Sequence, residues 1–263
     1  MNQTEFIKIT LPFEHNLFNE LSNQINFESV GKGRLGNHLV KVSEKGVPIV
    51  RTTTQYNIPA HNFTSTHNSI IECINDKLDN SPSLNLNNAL IEVYDSSYTK
   101  MKYHSDQCID LAPNSFICLF SCYENPTELT VQSIRKLKIK DKITDEEFEI
   151  SLNQNSLVLF SLSANSRYFH KIVLEQIPKK KPLQTGNKWL GITFRESKTY
   201  IQFKDNLPYF ENGEPLELAS DEQKTEYFRL RGEENRSMNF IYPKIDYTLS
   251  KADTINPIKE KQL

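Results

Sequence analysis

The sequence predicts a mainly β fold with flanking helices, of the α+β class, whose core is a double-stranded β-helix, or jelly roll. Three observations lead to this prediction. Many strand-like segments follow one another at short intervals, helix-like segments lie mostly upstream of them, and 263 residues with 37% hydrophobic content suffice for one core of moderate size. No internal repeat points to a solenoid or a propeller.

Two segments carry apolar residues at the spacing of three and four that is typical of an amphipathic helix. The first covers residues 11–26 and the second covers residues 67–78. In the second segment Ile70 and Ile74 lie on one side of the predicted helix, and the turn-forming residues 80–83 end it.

The strand-like segments differ in their pattern of burial. Residues 115–123 form a nearly all-apolar run, which is typical of a strand buried on both faces. Residues 136–140 alternate lysine with apolar residues and predict a half-exposed strand with one basic face. The remaining segments with a strand-like pattern are residues 90–94, 148–152, 156–160, 189–195 and 199–203.

Composition divides the chain into three parts. Residues 1–44 are expected to form an N-terminal helical extension, and residues 45–204 are expected to form the core. From Asp205 on the chain is polar with few apolar clusters, so residues 205–263 are expected to pack on the core as a C-terminal extension. A loose tail is expected after about Asp253.

Charge and cysteine usage limit the partners and the compartment. With a net charge of −2 and a pI of about 6.3, the chain lacks a strongly basic nucleic-acid footprint, although a local basic groove is compatible with it. The four cysteines form no CxxC pair, which predicts buried free thiols in a reducing compartment. No signal sequence or bilayer-length apolar run is present, so we expect a soluble, cytoplasmic protein without a membrane partner. The oligomeric state stays open.

The most specific motif is His104-Ser105-Asp106, followed at a distance by His170. Side chains at positions i and i+2 of a strand point to the same side, so His104 and Asp106 can bind one metal ion together. Two imidazoles and one carboxylate on one face of Fe(II) leave the opposite face open for a co-substrate and O2. The pair His104 and Asp106 is also compatible with a solvated surface pair, and His170 is also compatible with a hydrogen-bonded core histidine.

Four blocks of sequence around this motif resemble, in the same order, the AlkB family of Fe(II)/2-oxoglutarate dioxygenases. The blocks are the stretch from Tyr94 through His104 and Asp106 to Ile117, the strand 155–160, the aromatic pair and histidine at 168–170, and Ile-Thr-Phe-Arg at 192–195. The resemblance covers roughly residues 45–200. Four ordered blocks are far more specific than any one of them.

The resemblance implies an Fe(II)- and 2-oxoglutarate-dependent dioxygenase that uses O2 to oxidise a C–H bond. It implies that His104, Asp106 and His170 bind Fe(II) and are the catalytic residues, and that Arg195 and Tyr94 bind 2-oxoglutarate. A guanidinium suits this role because its planar fork can hold a carboxylate through two hydrogen bonds. The product is a stable alcohol, or a demethylated group where the oxidised carbon is bonded to nitrogen. A modified nucleobase is one candidate substrate.

Several positions depart from the family pattern. Where the family's last strand reads Arg-x-Asn-x-Thr-x-Arg, this chain has Trp189 and Gly191, so one arginine and one asparagine are absent. Glu92 replaces an asparagine, and its carboxylate would repel the co-substrate unless it turns away, pairs or is protonated. Lys188 is a candidate replacement for the missing arginine.

The candidate substrate-binding residues are Arg51, Tyr56 and Cys108. A tyrosine can stack on a flipped base, and the basic strand at 135–142 can track a phosphate backbone, although its acidic neighbours also suit a solvated face. Cys108 stands where base-repairing family members have an acidic residue, and a thiol is a weak acceptor. Two other functions therefore remain open, a hydroxylase or tailoring enzyme acting on a small molecule or protein side chain, and a non-catalytic jelly-roll binding module.

Overall fold

Antiparallel β-strands form most of the regular secondary structure in this computed structural model, which describes residues 5–78, 83–99, 101–175 and 186–259. In chain order the strands are β1 (Phe6–Thr10), β2 (Glu28–Gly31), β3 (Arg34–Val40), β4 (Val47–Pro48), β5 (His61–Asn62), β6 (Asn88–Tyr94), β7 (Phe116–Tyr123), β8 (Lys136–Asp141), β9 (Glu147–Ser151), β10 (Ser156–Ser161), β11 (Tyr168–Val173), β12 (Trp189–Arg195), β13 (Tyr200–Lys204), β14 (Leu207–Phe210), β15 (Glu217–Leu218) and β16 (Tyr247–Thr248). The helices are α1 (Phe18–Asn23), α2 (Ser65–Lys77), α3 (Leu162–Arg167) and α4 (Asp221–Arg236). The predicted mainly β fold with flanking helices is confirmed.

Two facing sheets form the core. The larger sheet has eight strands within the described chain, in the order β1-β10-β7-β12-β6-β3-β2, with β5 added in parallel beside β3. The other neighbouring strands of this sheet are antiparallel. The second sheet, β11-β8-β9, packs against its inner face, and together they make the predicted jelly roll. Smaller sheets join β14-β13-β4 and β15-β16.

The alternation of side chains along β12 explains how the larger sheet is covered on both faces. Leu190, Ile192 and Phe194 point to the outer face, where they pack against apolar residues of α1 and α2. Trp189 points to the inner face and packs with apolar residues of the second sheet. Because Arg195 is six residues from Trp189, it shares the inner face and is brought between the sheets.

The N-terminal part differs from the helical extension expected over residues 1–44. Within the span 11–26 only α1 is helical, and Leu11 instead donates its backbone N–H to the carbonyl of Asn155 at 2.9 Å. Strands β1, β2 and β3 all belong to the larger sheet, so this part of the chain is core. β1 pairs with β10 and β3 pairs with β6, both remote in sequence, while β2 pairs with its neighbour β3.

The chain beyond Asp205 packs on the core and contributes the longest described helix, α4. Tyr227 and Leu230 of this helix are buried in a separate apolar cluster that includes residues of β16. The tail expected to be loose after about Asp253 is instead attached at Ile258, and residues 260–263 lie outside the described residues. Ile258 exchanges backbone hydrogen bonds of 2.8 and 2.9 Å with the region of β5.

The carboxyl group of Asp253 is buried and gives the fold a pH dependence. It accepts a hydrogen bond of 2.5 Å from the Thr248 hydroxyl and lies 4.0 Å from Nδ1 of His38. Burial raises its pKa from 3.8 to about 7. The folded protein therefore retains a proton that the unfolded chain releases near pH 4, so this group's stabilising contribution is full below pH 4 and is lost as the pH rises to about 7.

Asp253→Asn, which cannot ionise, is expected to gain stability relative to the natural chain between pH 4 and pH 7, by at most about 1.4 kcal/mol per pH unit. Urea unfolding of both proteins at pH 5 and pH 8 measures this difference. Parallel pH profiles for the two proteins would show that the folded carboxyl is not protonated in this range.

Candidate metal centre and its cavity

His104, Asp106 and His170 meet between the two sheets. The backbones of His104 and His170 form an antiparallel bridge with hydrogen bonds of 3.0 and 2.7 Å. Oδ1 of Asp106 lies 3.4 Å from Nε2 of His170 and 4.0 Å from Nε2 of His104. The three candidate ligand atoms all lie within 4.8 Å of one another. The structure therefore brings together the three residues that the motif singled out.

The ionisation states of His104 and Asp106 suit metal ligation. Burial, and then the proximity of His170, lower the pKa of His104 to about 4, so its imidazole is neutral at pH 7. Burial alone would raise the pKa of Asp106, but the Arg195 guanidinium and then the two imidazoles hold it well below its usual value. Neutral imidazoles and an ionised carboxylate are the forms that bind metals.

Arg195 is bound to the aspartate of the triad. Its Nη2 and Nε donate hydrogen bonds of 2.6 and 2.9 Å to Oδ2 of Asp106. Since Oδ2 is engaged by the guanidinium, Oδ1 is the oxygen that faces the two histidines. Arg195, which the sequence suggested as the partner of the co-substrate carboxylate, thus lies at the triad with its guanidinium bound to Asp106, and it orients that carboxylate.

Asn165 of α3 fixes the backbone around the aspartate. Its Oδ1 accepts the backbone N–H of Asp106 at 2.7 Å, and its Nδ2 donates to the carbonyl of Asp106 at 2.9 Å. The same Nδ2 lies 3.2 Å from the thiol of Cys108. The buried side-chain amide of Asn165 therefore bonds both the backbone N–H and the backbone carbonyl of Asp106.

Helix α4 holds the same loop from the opposite side. Asn235 accepts the backbone N–H of Ser105 at 2.9 Å, and Glu234 accepts that of Cys108 at 2.7 Å. Arg231 donates to the carbonyl of Ser105. The C-terminal segment is therefore part of the scaffold of the centre, a role that its polar composition did not indicate.

Replacing Asn165 with alanine is expected to weaken metal binding roughly ten- to hundredfold, because groups that orient a ligand have effects of that size. Anaerobic Fe(II) titration measures the affinity. Asn235→Ala is the matched control, since it removes an amide from Ser105 rather than from Asp106, and a smaller loss is expected. Equal affinity in Asn165→Ala and the natural chain would contradict the positioning role.

A cavity of about 140 Å³ opens beside the triad. Much of its wall is apolar, from both sheets and the loops between them, and is formed by Val50, Leu90, Met101, Ile117, Leu119, Leu137, Phe160 and Ile172. The polar lining besides the triad includes Thr193, Arg195, Tyr94, Glu92 and Arg34. An apolar chamber with a few convergent polar groups is typical of a small-molecule site.

Glu92 faces this cavity and is paired. Nη2 and Nε of Arg34 lie 2.5 and 2.6 Å from its Oε1, and the Tyr94 hydroxyl donates to its Oε2 at 2.8 Å. Burial, and then the nearby Glu92 carboxylate, hold the pKa of Tyr94 well above its usual value, so the phenol is neutral and donates. Sequence reasoning did not identify Arg34, because residues 34–39 carry no clear polar and apolar alternation.

The departures on β12 alter the shape of the cavity region. The Trp189 ring lies over Gly191, where a Cβ atom would come within 2.0 Å of it, and it stacks on Tyr94 with 4.9 Å between ring centroids. Lys188 lies outside the cavity, half exposed and 3.4 Å from Glu124. The structure therefore does not bring Lys188 to the triad.

The three candidate substrate-binding residues do not meet at the triad cavity. Arg51 is buried, forms a two-point ion pair with Asp110 and donates to two carbonyls of the C-terminal segment. Tyr56 is buried with its ring 4.5 Å from that of His38. Cys108 is half-buried, and burial followed by nearby Glu234 raises its pKa to about 12. Cys108 and Arg51 border a separate open groove of about 760 Å³.

Comparison with known proteins finds a matching family and similar solved structures. A family model described as the 2OG-Fe(II) oxygenase superfamily matches residues 14–195. OsALKBH1 has a similar structure at 13% identity and a TM-score of 0.44, with 73% of this chain and 96% of that chain covered. A Pseudomonas putida prolyl-4-hydroxylase is similar at 10% identity and a TM-score of 0.42, with 74% and 93% covered. No curated protein shows significant sequence similarity to the chain. Within the described chain no helix is long and apolar enough to cross a membrane.

Proposed function

The chain belongs to the 2OG-Fe(II) oxygenase superfamily, and from this premise we propose that it oxidises a C–H bond of its substrate at Fe(II) held by His104, Asp106 and His170. Enzymes of this class use Fe(II), 2-oxoglutarate and O2. The observation that carries the assignment of residues is the convergence of these three side chains on one cavity.

The residues present fit Fe(II). Two imidazoles and one carboxylate are the donor set of a facial triad. Nε2 of His170 faces Asp106, and Nδ1 of the same ring is buried with no hydrogen-bond partner among the described residues. The described residues within reach of these atoms supply no fourth side-chain ligand of this kind, so positions remain for the co-substrate.

When bound, Fe(II) supplies the oxygen chemistry, in which 2-oxoglutarate, O2 and the substrate C–H give succinate, CO2 and an alcohol. The protein's own residues prepare the site. Arg195 keeps Asp106 ionised and turns Oδ1 toward the histidines, Asn165 fixes the peptide unit of Asp106, and the apolar wall of the cavity limits access of water.

For the substrate we favour a modified nucleobase in single-stranded nucleic acid, from which an N-linked methyl group would be lost after oxidation. Basic and aromatic side chains adjoin the triad residues in sequence and support this class. Nζ of Lys171 lies 3.9 Å from the ring centroid of Tyr103, and Nζ of Lys142 lies 4.8 Å from that of Phe169. Aromatic faces stack on bases, and lysines attract the phosphate backbone.

A second candidate is hydroxylation of a small molecule or a protein side chain. The open groove of about 760 Å³ beside Cys108 favours it, since aromatic and apolar residues such as Ile109, Phe240 and Tyr242 line it together with charged ones. A protein segment is a suitable occupant of a groove of this size and character.

Succinate formation by the purified protein with Fe(II) and 2-oxoglutarate tests both candidates. We expect N-methylated oligonucleotides to stimulate it and to release one formaldehyde per succinate above background, whereas unmethylated oligonucleotides of the same sequence do not. Stimulation by peptides or metabolites alone would favour the second candidate. Absence of any turnover, even without substrate, is the result that a non-catalytic binding module predicts.

A further inference from the structure

The cavity contains a second polar group besides the triad, formed by Arg34, Glu92 and Tyr94. The carboxylate of Glu92 is held on one oxygen by the Arg34 guanidinium and on the other by the Tyr94 hydroxyl. Glu92 is only 7% exposed, so this ion pair lies inside the protein. An arginine and a tyrosine that converge on one carboxylate form a carboxylate receptor.

This group and the triad line the same cavity at different levels of the sheet. The Cα partner of Glu92 on β12 is Gly191, four residues or about 13 Å of strand from Arg195, which binds Asp106. Thr193 lies between these levels and also lines the cavity. Side chains reach inward from both levels, so one elongated ligand can contact both groups.

Arg34 is the cation available for such a ligand. Three arginines line the cavity in the described chain. Arg195 is bound to Asp106, while Arg231 is bound to Glu234 and to the carbonyl of Ser105. Among the described residues the Arg34 guanidinium is instead paired with the Glu92 carboxylate alone, through two N–H groups directed at one oxygen.

The position of Arg34 explains the loss of a cation from β12. Tyr94 has two Cα partners at the same level, Trp189 on β12 and Arg34 on β3. On the β12 side the partner of Tyr94 is Trp189, whose ring packs on that of Tyr94, so β12 itself supplies no cation at this level. The positive charge at this level of the sheet therefore comes from the opposite neighbouring strand.

We propose that Arg34 and Tyr94 bind the distal carboxylate of 2-oxoglutarate, and that the Glu92 carboxylate occupies this receptor until the co-substrate displaces it. The inference rests on the proposed function, since it presupposes that the 2-oxo acid end of the co-substrate lies at the triad. Two carboxylates at one guanidinium repel each other, so Glu92 must leave Arg34 when the ligand enters. Glu92 is then a competitor that weakens co-substrate binding.

Anaerobic titration of the Fe(II)-loaded protein, followed by the visible charge-transfer band, tests this. The two ligands are 2-oxoglutarate and 2-oxovalerate, which has the same 2-oxo acid end but a methyl group in place of the distal carboxylate. Glu92→Gln should bind 2-oxoglutarate about tenfold more tightly than the natural chain does, because the competing charge is removed. Its affinity for 2-oxovalerate should equal that of the natural chain. Arg34→Met is combined with Glu92→Gln so that no unpaired glutamate remains buried. In this double variant the ratio of the 2-oxovalerate to the 2-oxoglutarate dissociation constant should fall by about tenfold or more.

Lys188→Met is the control, because it removes a cation that lies outside the cavity, and both dissociation constants should stay unchanged. The proposal is overturned if Glu92→Gln does not tighten 2-oxoglutarate, or if the double variant keeps the natural chain's preference between the two ligands. If the natural chain gives the band with both ligands and binds them with equal affinity, the proposal is overturned as well, while the oxygenase function stands. If neither ligand gives a band, the proposed function fails, and this inference fails with it.

Discussion

Replacing His104 with alanine is expected to abolish stoichiometric Fe(II) binding and, with it, the turnover of 2-oxoglutarate. A facial triad has three protein ligands, and removing an imidazole leaves a two-ligand site. The fold should survive, because the bridge between residues 104 and 170 uses backbone atoms only. Metal content after anaerobic loading and gel filtration measures the effect.

His15→Ala is the matched control for this experiment. The His15 side chain is 68% exposed and lies outside the cavity that the triad lines, so this variant should retain full iron. A His104→Ala protein that keeps one iron per chain would show that the metal, if bound, is held elsewhere.

Replacing Arg195 with methionine is expected to weaken Fe(II) binding by about 3 kcal/mol, or roughly a hundredfold, and the charge-transfer band with 2-oxoglutarate should decrease in proportion to the iron that is lost. The guanidinium is the main group that keeps the pKa of Asp106 low against the effect of burial. Without it the pKa of Asp106 rises, so the carboxyl binds a proton at pH values where it now binds metal. The midpoint of Fe(II) binding should therefore move to higher pH.

Arg195→Lys separates charge from geometry in this prediction. A lysine retains the positive charge but cannot donate from two positions of a planar fork to Oδ2 of Asp106. It should recover part of the affinity at neutral pH. Unchanged iron affinity and an unchanged pH midpoint in Arg195→Met would contradict the role given to this ion pair.

Sequence could identify the centre of the site because each of its parts lies in a short segment with a recognisable local pattern. His104 and Asp106 are two residues apart, and the aromatic pair before His170 and the end of β12 repeat a known pattern. The strands β6, β7, β10 and β12 were likewise visible, since buried strands carry distinct apolar runs. These features depend on local sequence alone.

The parts that escaped prediction depend on contacts between distant segments. Arg34 reaches the cavity because β3 pairs with β6, and the sequence of residues 1–44 does not predict that pairing. Asn165 and Asn235 are ordinary polar residues in sequence, and their role arises from three-dimensional contacts with the loop of Asp106. Glu92 was recognised as a conflict with the co-substrate, but its partner could not be named.

The most direct test of the iron and co-substrate assignment is anaerobic addition of Fe(II) and then 2-oxoglutarate to the purified protein, with the visible spectrum recorded at each step. A weak charge-transfer band that saturates at one 2-oxoglutarate per chain is the expected result, because the triad leaves adjacent positions for a chelating 2-oxo acid. Iron that binds stoichiometrically without producing the band would contradict it, and would mean that the Trp189 and Gly191 departures have removed the co-substrate site.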